Sequence, residues 1–103
     1  MKNKIRFKKH PEVTGLASVG AGDPDIDIKI NGKVCGYIAH PNWSSSDKRI
    51  RIKLSVNKEI EGKPNFEWIT LKYIPENDEQ AREFLKKYVD EIVKKHNLYY
   101  FED

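Results

Sequence analysis

Residues 15–27 read GLASVGAGDPDID, three glycines among small side chains running into three aspartates at alternate positions. Two chemistries use such material. Backbone N–H groups of a glycine-rich loop can cradle a phosphate, and carboxylates at alternate positions can ligate a divalent cation. A phosphate loop of the Walker kind needs Gly-Lys followed by Ser or Thr at the mouth of a helix. Here no Lys-Ser or Lys-Thr follows, and the glycines precede alternating strand-like residues. A calcium loop starting at Asp23 requires glycine at its sixth position, which is Ile28. The segment therefore reads as a turn-forming connection, and Asp23, Asp25 and Asp27 as the polar side of a strand edge.

Other reactive side chains are sparse. His10 and His40 precede prolines, and His96 follows a basic helical run. None has a Cys or His partner at zinc-ligand spacing. Cys35 is the only cysteine, so no disulfide can close within the chain and a reducing compartment, the cytoplasm, is expected. It lacks an activating neighbour and reads as a small buried thiol. Ser44, Ser45 and Ser46 form a polar turn. We therefore expect no catalytic residues, no metal, no cofactor and no enzyme activity.

The elements that would position a site are easier to read. ENDEQAREFLKKYVDEIVKKHN places Ala81, Phe84, Leu85, Tyr88, Val89, Ile92 and Val93 at helical spacing. Asn77 suits the N-cap, with Gln80 completing a capping box. Asp78 and Glu79 suit the positive helix start, and Lys94, Lys95 and His96 its negative end, so a helix is predicted over 78–96. Upstream the period is two. Ile26, Ile28 and Ile30 share one face, as do Ile50, Ile52, Leu54 and Val56; Ile69, Leu71 and Tyr73 alternate with Trp68, Thr70 and Lys72. IRFKK near the start reads as a basic arm or edge strand. HPNWSSSDK and NKEIEGKPN read as polar connections.

Asn31-Gly32 signals a hairpin. A two-residue turn puts Lys29 with Val34 and Ile28 with Cys35. A bulged three-residue turn gathers Ile26, Ile28, Val34 and Ile38 under the helix, and that register is the one expected. The order predicts one α+β domain over 1–103: an antiparallel β-sheet of about four to five strands, then one C-terminal amphipathic α-helix packed on one face.

Charge is uneven. The 103 residues carry a net +3, but the first ten hold five of the 19 basic groups and none of the 16 acidic ones. The remainder is slightly acidic, which excludes a strongly acidic nucleic-acid mimic and permits phosphate binding. No apolar run approaches a membrane span, and no signal peptide is evident, so no membrane partner is expected.

GDPDIDIKINGKVCGYIAHP resembles the start of small phage-type nucleases of the VRR-NUC group, in which a Gly-x-Pro-Asp strand leads through a hairpin to a Glu-x-Lys strand. In that resemblance Asp25 would be a metal ligand. The Glu and Lys positions fall on Ile38 and His40, which removes the second carboxylate and the base that hydrolysis needs. NGKVCGYI is also similar to a hairpin of GNAT-type acetyltransferases, but no glycine-rich pyrophosphate loop follows. The strands-then-helix order is similar to that of domains that bind single-stranded DNA, or lay a sheet in the DNA groove.

What remains is the polar sheet face. Arg49, Arg51 and Lys53 recur at every second residue. Lys72 and Trp68 are expected beside them and Tyr37 further across, with Lys4, Arg6 and Lys8 extending the track. Cations interleaved with rings suit single-stranded nucleic acid, through phosphate contacts and base stacking. The expected function is a small non-catalytic binding module for nucleic acid. The alternative is a protein-binding inhibitor or adaptor of the phage accessory, anti-defence type, occluding a partner through Trp43, Tyr99, Tyr100 and Phe101. A homodimer is left open.

Overall fold

The computed structural model describes residues 3–9, 25–41 and 46–101; the glycine-rich segment, Asp23, His10 and Trp43 lie outside them. In chain order come β1 (Ile5–Lys9), β2 (Ile26–Ile30), β3 (Lys33–Ala39), β4 (Arg51–Asn57), β5 (Phe66–Thr70) and α1 (Asp78–Lys95). Each strand pairs antiparallel with the next, so the sheet is a meander in the order β1-β2-β3-β4-β5. The α+β architecture, with one C-terminal helix on one face, is the one the sequence predicts.

Alternation builds the core. Ile26, Ile28, Ile30, Ile38, Ile52 and Leu54 are buried together with Ala81, Leu85, Val89 and Ile92 of α1. Burying one such aliphatic chain is worth roughly 1.5–3 kcal/mol. Asn77 caps α1, its side chain accepting the Gln80 N–H at 2.9 Å. The reciprocal bond differs from a standard capping box: Gln80 Oε1 accepts from Glu76 N–H at 3.1 Å, one residue earlier. The helix ends at Lys95, one residue before the predicted limit, with His96 as C-cap donating its N–H to the Ile92 carbonyl. Burial, then the adjacent Lys95, hold the His96 imidazole below its ordinary value, opposite to what a negative helix end alone would give.

The first hairpin corrects the expected register. Asn31 and Gly32 have φ of 54° and 85°, a two-residue turn of the primed kind. Val34 consequently pairs with Lys29 on the face away from the helix. The bulge lies inside the strand, where Cys35 is the extra residue and is buried in the core. It restores the pairing of Ile28 with Gly36 and Ile26 with Ile38. Gly36 explains why the chain tolerates this path: a Cβ there would come within 2.3 Å of the Lys53 carbonyl oxygen. Asn31 has a second role, because its side-chain oxygen accepts the Lys4 N–H at 2.9 Å and its amide donates to Asn3 Oδ1 at 2.9 Å. Asn3 in turn donates to Asp90 of α1, so the turn ties the basic edge strand to the helix.

The polar connection 58–65 is an ordered extension of the β4–β5 hairpin. Ile60 and Lys63 exchange backbone bonds of 3.0 and 2.9 Å around Glu61 and Gly62, both at positive φ.

The C-terminal residues take part in the sheet. β3 and β4 pair only from Gly36–Leu54 to Ala39–Arg51. Beyond that point the tail lies between them, with Leu98 bridging Val56 of β4 and Phe101 bridging Val34 of β3. The Tyr99 N–H donates to the Ser55 carbonyl at 2.9 Å. The buried Ser55 hydroxyl lies 2.9 Å from the Cys35 carbonyl and 2.6 Å from the Tyr99 carbonyl, joining β3, β4 and the tail. Among the described residues no helix is long and apolar enough to cross a membrane.

Candidate nucleic-acid interface

The sheet face opposite α1 is built by register. Lys8, Asp27, Tyr37, Lys53 and Thr70 form one rung across all five strands. Arg6 and Lys29 are paired in the next rung, and Ser55 with Trp68 on the far side. Arg51 and Lys53 therefore share the open face with the Trp68 indole, which is 43% exposed. Arg6 and Lys8 have no carboxylate partner among the described residues. Lys53 Nζ donates to the Thr70 hydroxyl, so its charge is held on the face without being neutralised.

Aromatic rings gather beside this rung. Trp68 meets the Tyr37 ring edge-on at 5.2 Å and lies nearly parallel to Phe101 at 5.8 Å. Phe66 is 40% exposed and touches Tyr99 and Phe101 at 5.2 and 4.9 Å between centroids. Alternation explains the grouping: Phe66 and Trp68 project from one side of β5, while Tyr99 and Phe101 reach the same side from the inserted tail. Leu98 and Tyr100 pack toward the core instead. Burial pushes the Tyr100 phenol above its ordinary value, with Cys35 contributing further.

The expected site residues divide into groups. Tyr37, Lys53 and Trp68 come together, while Lys8 shares their face from the opposite edge strand, with Arg6 one rung away. Lys4 is exposed immediately before β1. Arg49 and Arg51 are both engaged by Asp47: Arg49 Nε reaches Oδ1 at 3.1 Å, and Arg51 Nη2 reaches Oδ2 at 2.9 Å. The Arg49 backbone N–H, then the Arg49 and Arg51 side chains, hold the Asp47 carboxyl well below the usual range. Lys72 follows β5 and lines a separate groove against α1 with Tyr73 and Phe84. Of the residues assigned to protein binding, Tyr99, Tyr100 and Phe101 are half-buried in the sheet, and Trp43 lies outside the described residues.

Sequence reasoning missed Phe66 and Asp47 and left the tail unplaced. Phe66 was readable as the i−2 partner of Trp68. Asp47 was readable from its spacing to Arg49 and Arg51. Asp25 is a half-buried strand-entry residue whose Oδ1 accepts the His40 backbone N–H at 2.9 Å. Among the described residues, no three His, Cys, Asp or Glu side chains group as metal ligands would. The Cys35 thiol is buried, pushed up to about 12 by that burial, and donates toward the Ile28 carbonyl.

No family model, no curated protein and no solved structure matches the chain.

Proposed function

We propose that this chain binds single-stranded nucleic acid on the open face of its sheet, without catalysis. One observation carries the reading: exposed Trp68 and Phe66 stand beside a rung that runs from Lys8 through Asp27, Tyr37 and Lys53 to Thr70. Flat rings at this spacing can stack bases of any identity, at about 1–3 kcal/mol per base. The neighbouring cations can follow the phosphates, and each phosphate neutralised steepens the salt dependence by about 0.7 in the log–log slope. A strand crossing from β5 to β1 would meet rings first and the basic edge last.

The inhibitor or adaptor reading draws on the same exposed rings, since aromatic side chains also anchor protein partners. With Tyr99, Tyr100 and Phe101 held in the sheet, it would use Phe66 and Trp68. Fluorescence anisotropy with a labelled oligothymidylate separates the two. We expect binding at low salt that weakens as salt rises, and weakens further in Lys53→Ala and Trp68→Ala but not in Lys94→Ala on the helix. Absence of binding at low salt, or equal loss in all three variants, would remove the nucleic-acid reading.

A further inference from the structure

The two edges of the sheet are protected very differently. β1 carries Arg6, Lys8 and Lys9, and a row of like charges keeps a second strand away. β5 reads FEWIT, and its single charge, Glu67, is already engaged by Lys58 of the same hairpin. Among the described residues, Phe66 and Trp68 of β5 and Ile60 of the hairpin that leads into it are large hydrophobics that stand exposed along this edge.

Its backbone is also open. Asn65 and Leu71 bond toward β4, through Lys58 N–H to the Asn65 carbonyl and Leu71 N–H to the Ile52 carbonyl. The unbroken register between them sends the N–H and carbonyl groups of Phe66, Trp68 and Thr70 the other way. The Phe66 N–H is satisfied by the Asn65 side chain at 3.0 Å, which leaves Trp68 and Thr70.

We propose that β5 pairs antiparallel with β5 of a second copy of this chain, about a two-fold axis near Trp68, joining two sheets into one. A two-fold interface presents the same surface twice and must be self-complementary. This edge is. Pairing at Trp68 sets Phe66 opposite Thr70 of the other copy and Glu67 opposite Ile69. The groove of about 490 Å³ beside β5 is lined by Lys72, Lys95 and Glu91 among its aromatic walls, so both charge signs are present where the copies meet. The β1 edge, uniformly basic, would repel its own copy. Pairing uses the backbone edge and leaves ring faces available. It goes beyond the nucleic-acid reading and does not depend on it.

Sedimentation velocity of the full chain, without nucleic acid, tests the pairing. The expected result is a concentration-dependent rise from 12.0 kDa to twice that mass. Thr70→Pro removes an N–H that β4 does not use, so it should keep the circular-dichroism spectrum of the folded parent and stay monomeric. Should that variant fail to fold, amide hydrogen exchange on the unaltered protein decides the matter: the Trp68 and Thr70 amides gain protection with rising concentration. A monomer at every concentration, a Thr70→Pro protein that dimerises like the parent, or edge amides that stay unprotected would each overturn the proposal.

Discussion

Replacing Ser55 by alanine tests whether the C-terminal tail is a structural part of the sheet. The hydroxyl is fully buried and its one proton is shared between the Cys35 and Tyr99 carbonyls. The methyl group of alanine fits the space but leaves both carbonyls without this donor. A hydrogen bond contributes about 0.5–1.5 kcal/mol net, and a buried group left unpaired costs about 1–3 kcal/mol, so a loss of about 2 kcal/mol is expected. For a domain of this size that corresponds to a fall in Tm of roughly 10 °C. The assay is urea or thermal unfolding followed by circular dichroism, with exposed Ser46→Ala as the control expected to change little. Because the tail carries Phe101 to the Trp68 ring, Ser55→Ala should also alter Trp68 emission before global unfolding, when measured in a Trp43→Phe background. An unfolding midpoint equal to that of Ser46→Ala, with unaltered emission, would refute the role assigned to the tail.

Three further outcomes are expected. Gly36→Ala should destabilise more than Ser55→Ala, because its Cβ would meet backbone at 2.3 Å and the β3–β4 seam would have to open; unfolding by urea checks this. Asp47→Asn should release Arg49 and Arg51 from their shared carboxylate, strengthening oligonucleotide binding at low salt and steepening its salt dependence. Cys35 should resist a thiol reagent in the folded protein and react at once in denaturant, since burial holds it protonated with a pKa of about 12.

The sequence made the fold readable where one local period dominates. Alternation of Ile26, Ile28 and Ile30, of Ile52 and Leu54, and the helical spacing from Ala81 to Ile92 each fix a buried face without reference to distant residues. The candidate face followed from the same alternation, since whatever packs Leu54 inward turns Lys53 outward. The bulge at Cys35 was not readable, because it is decided by the closeness of Gly36 to the Lys53 carbonyl, a contact across strands. The tail was harder still. Leu98 to Phe101 alternate, but nothing local indicates that they enter a gap between β3 and β4. The neutralising role of Asp47 is local, since Arg49 and Arg51 lie two and four residues beyond it.

Trp68 itself reports most directly on the proposed interface. In a Trp43→Phe protein, its emission should be quenched saturably by oligothymidylate at low salt, recover as salt is raised, and respond far less when Lys8 and Lys53 are both replaced by alanine. Emission unmoved by single-stranded and duplex nucleic acid at low salt would contradict it.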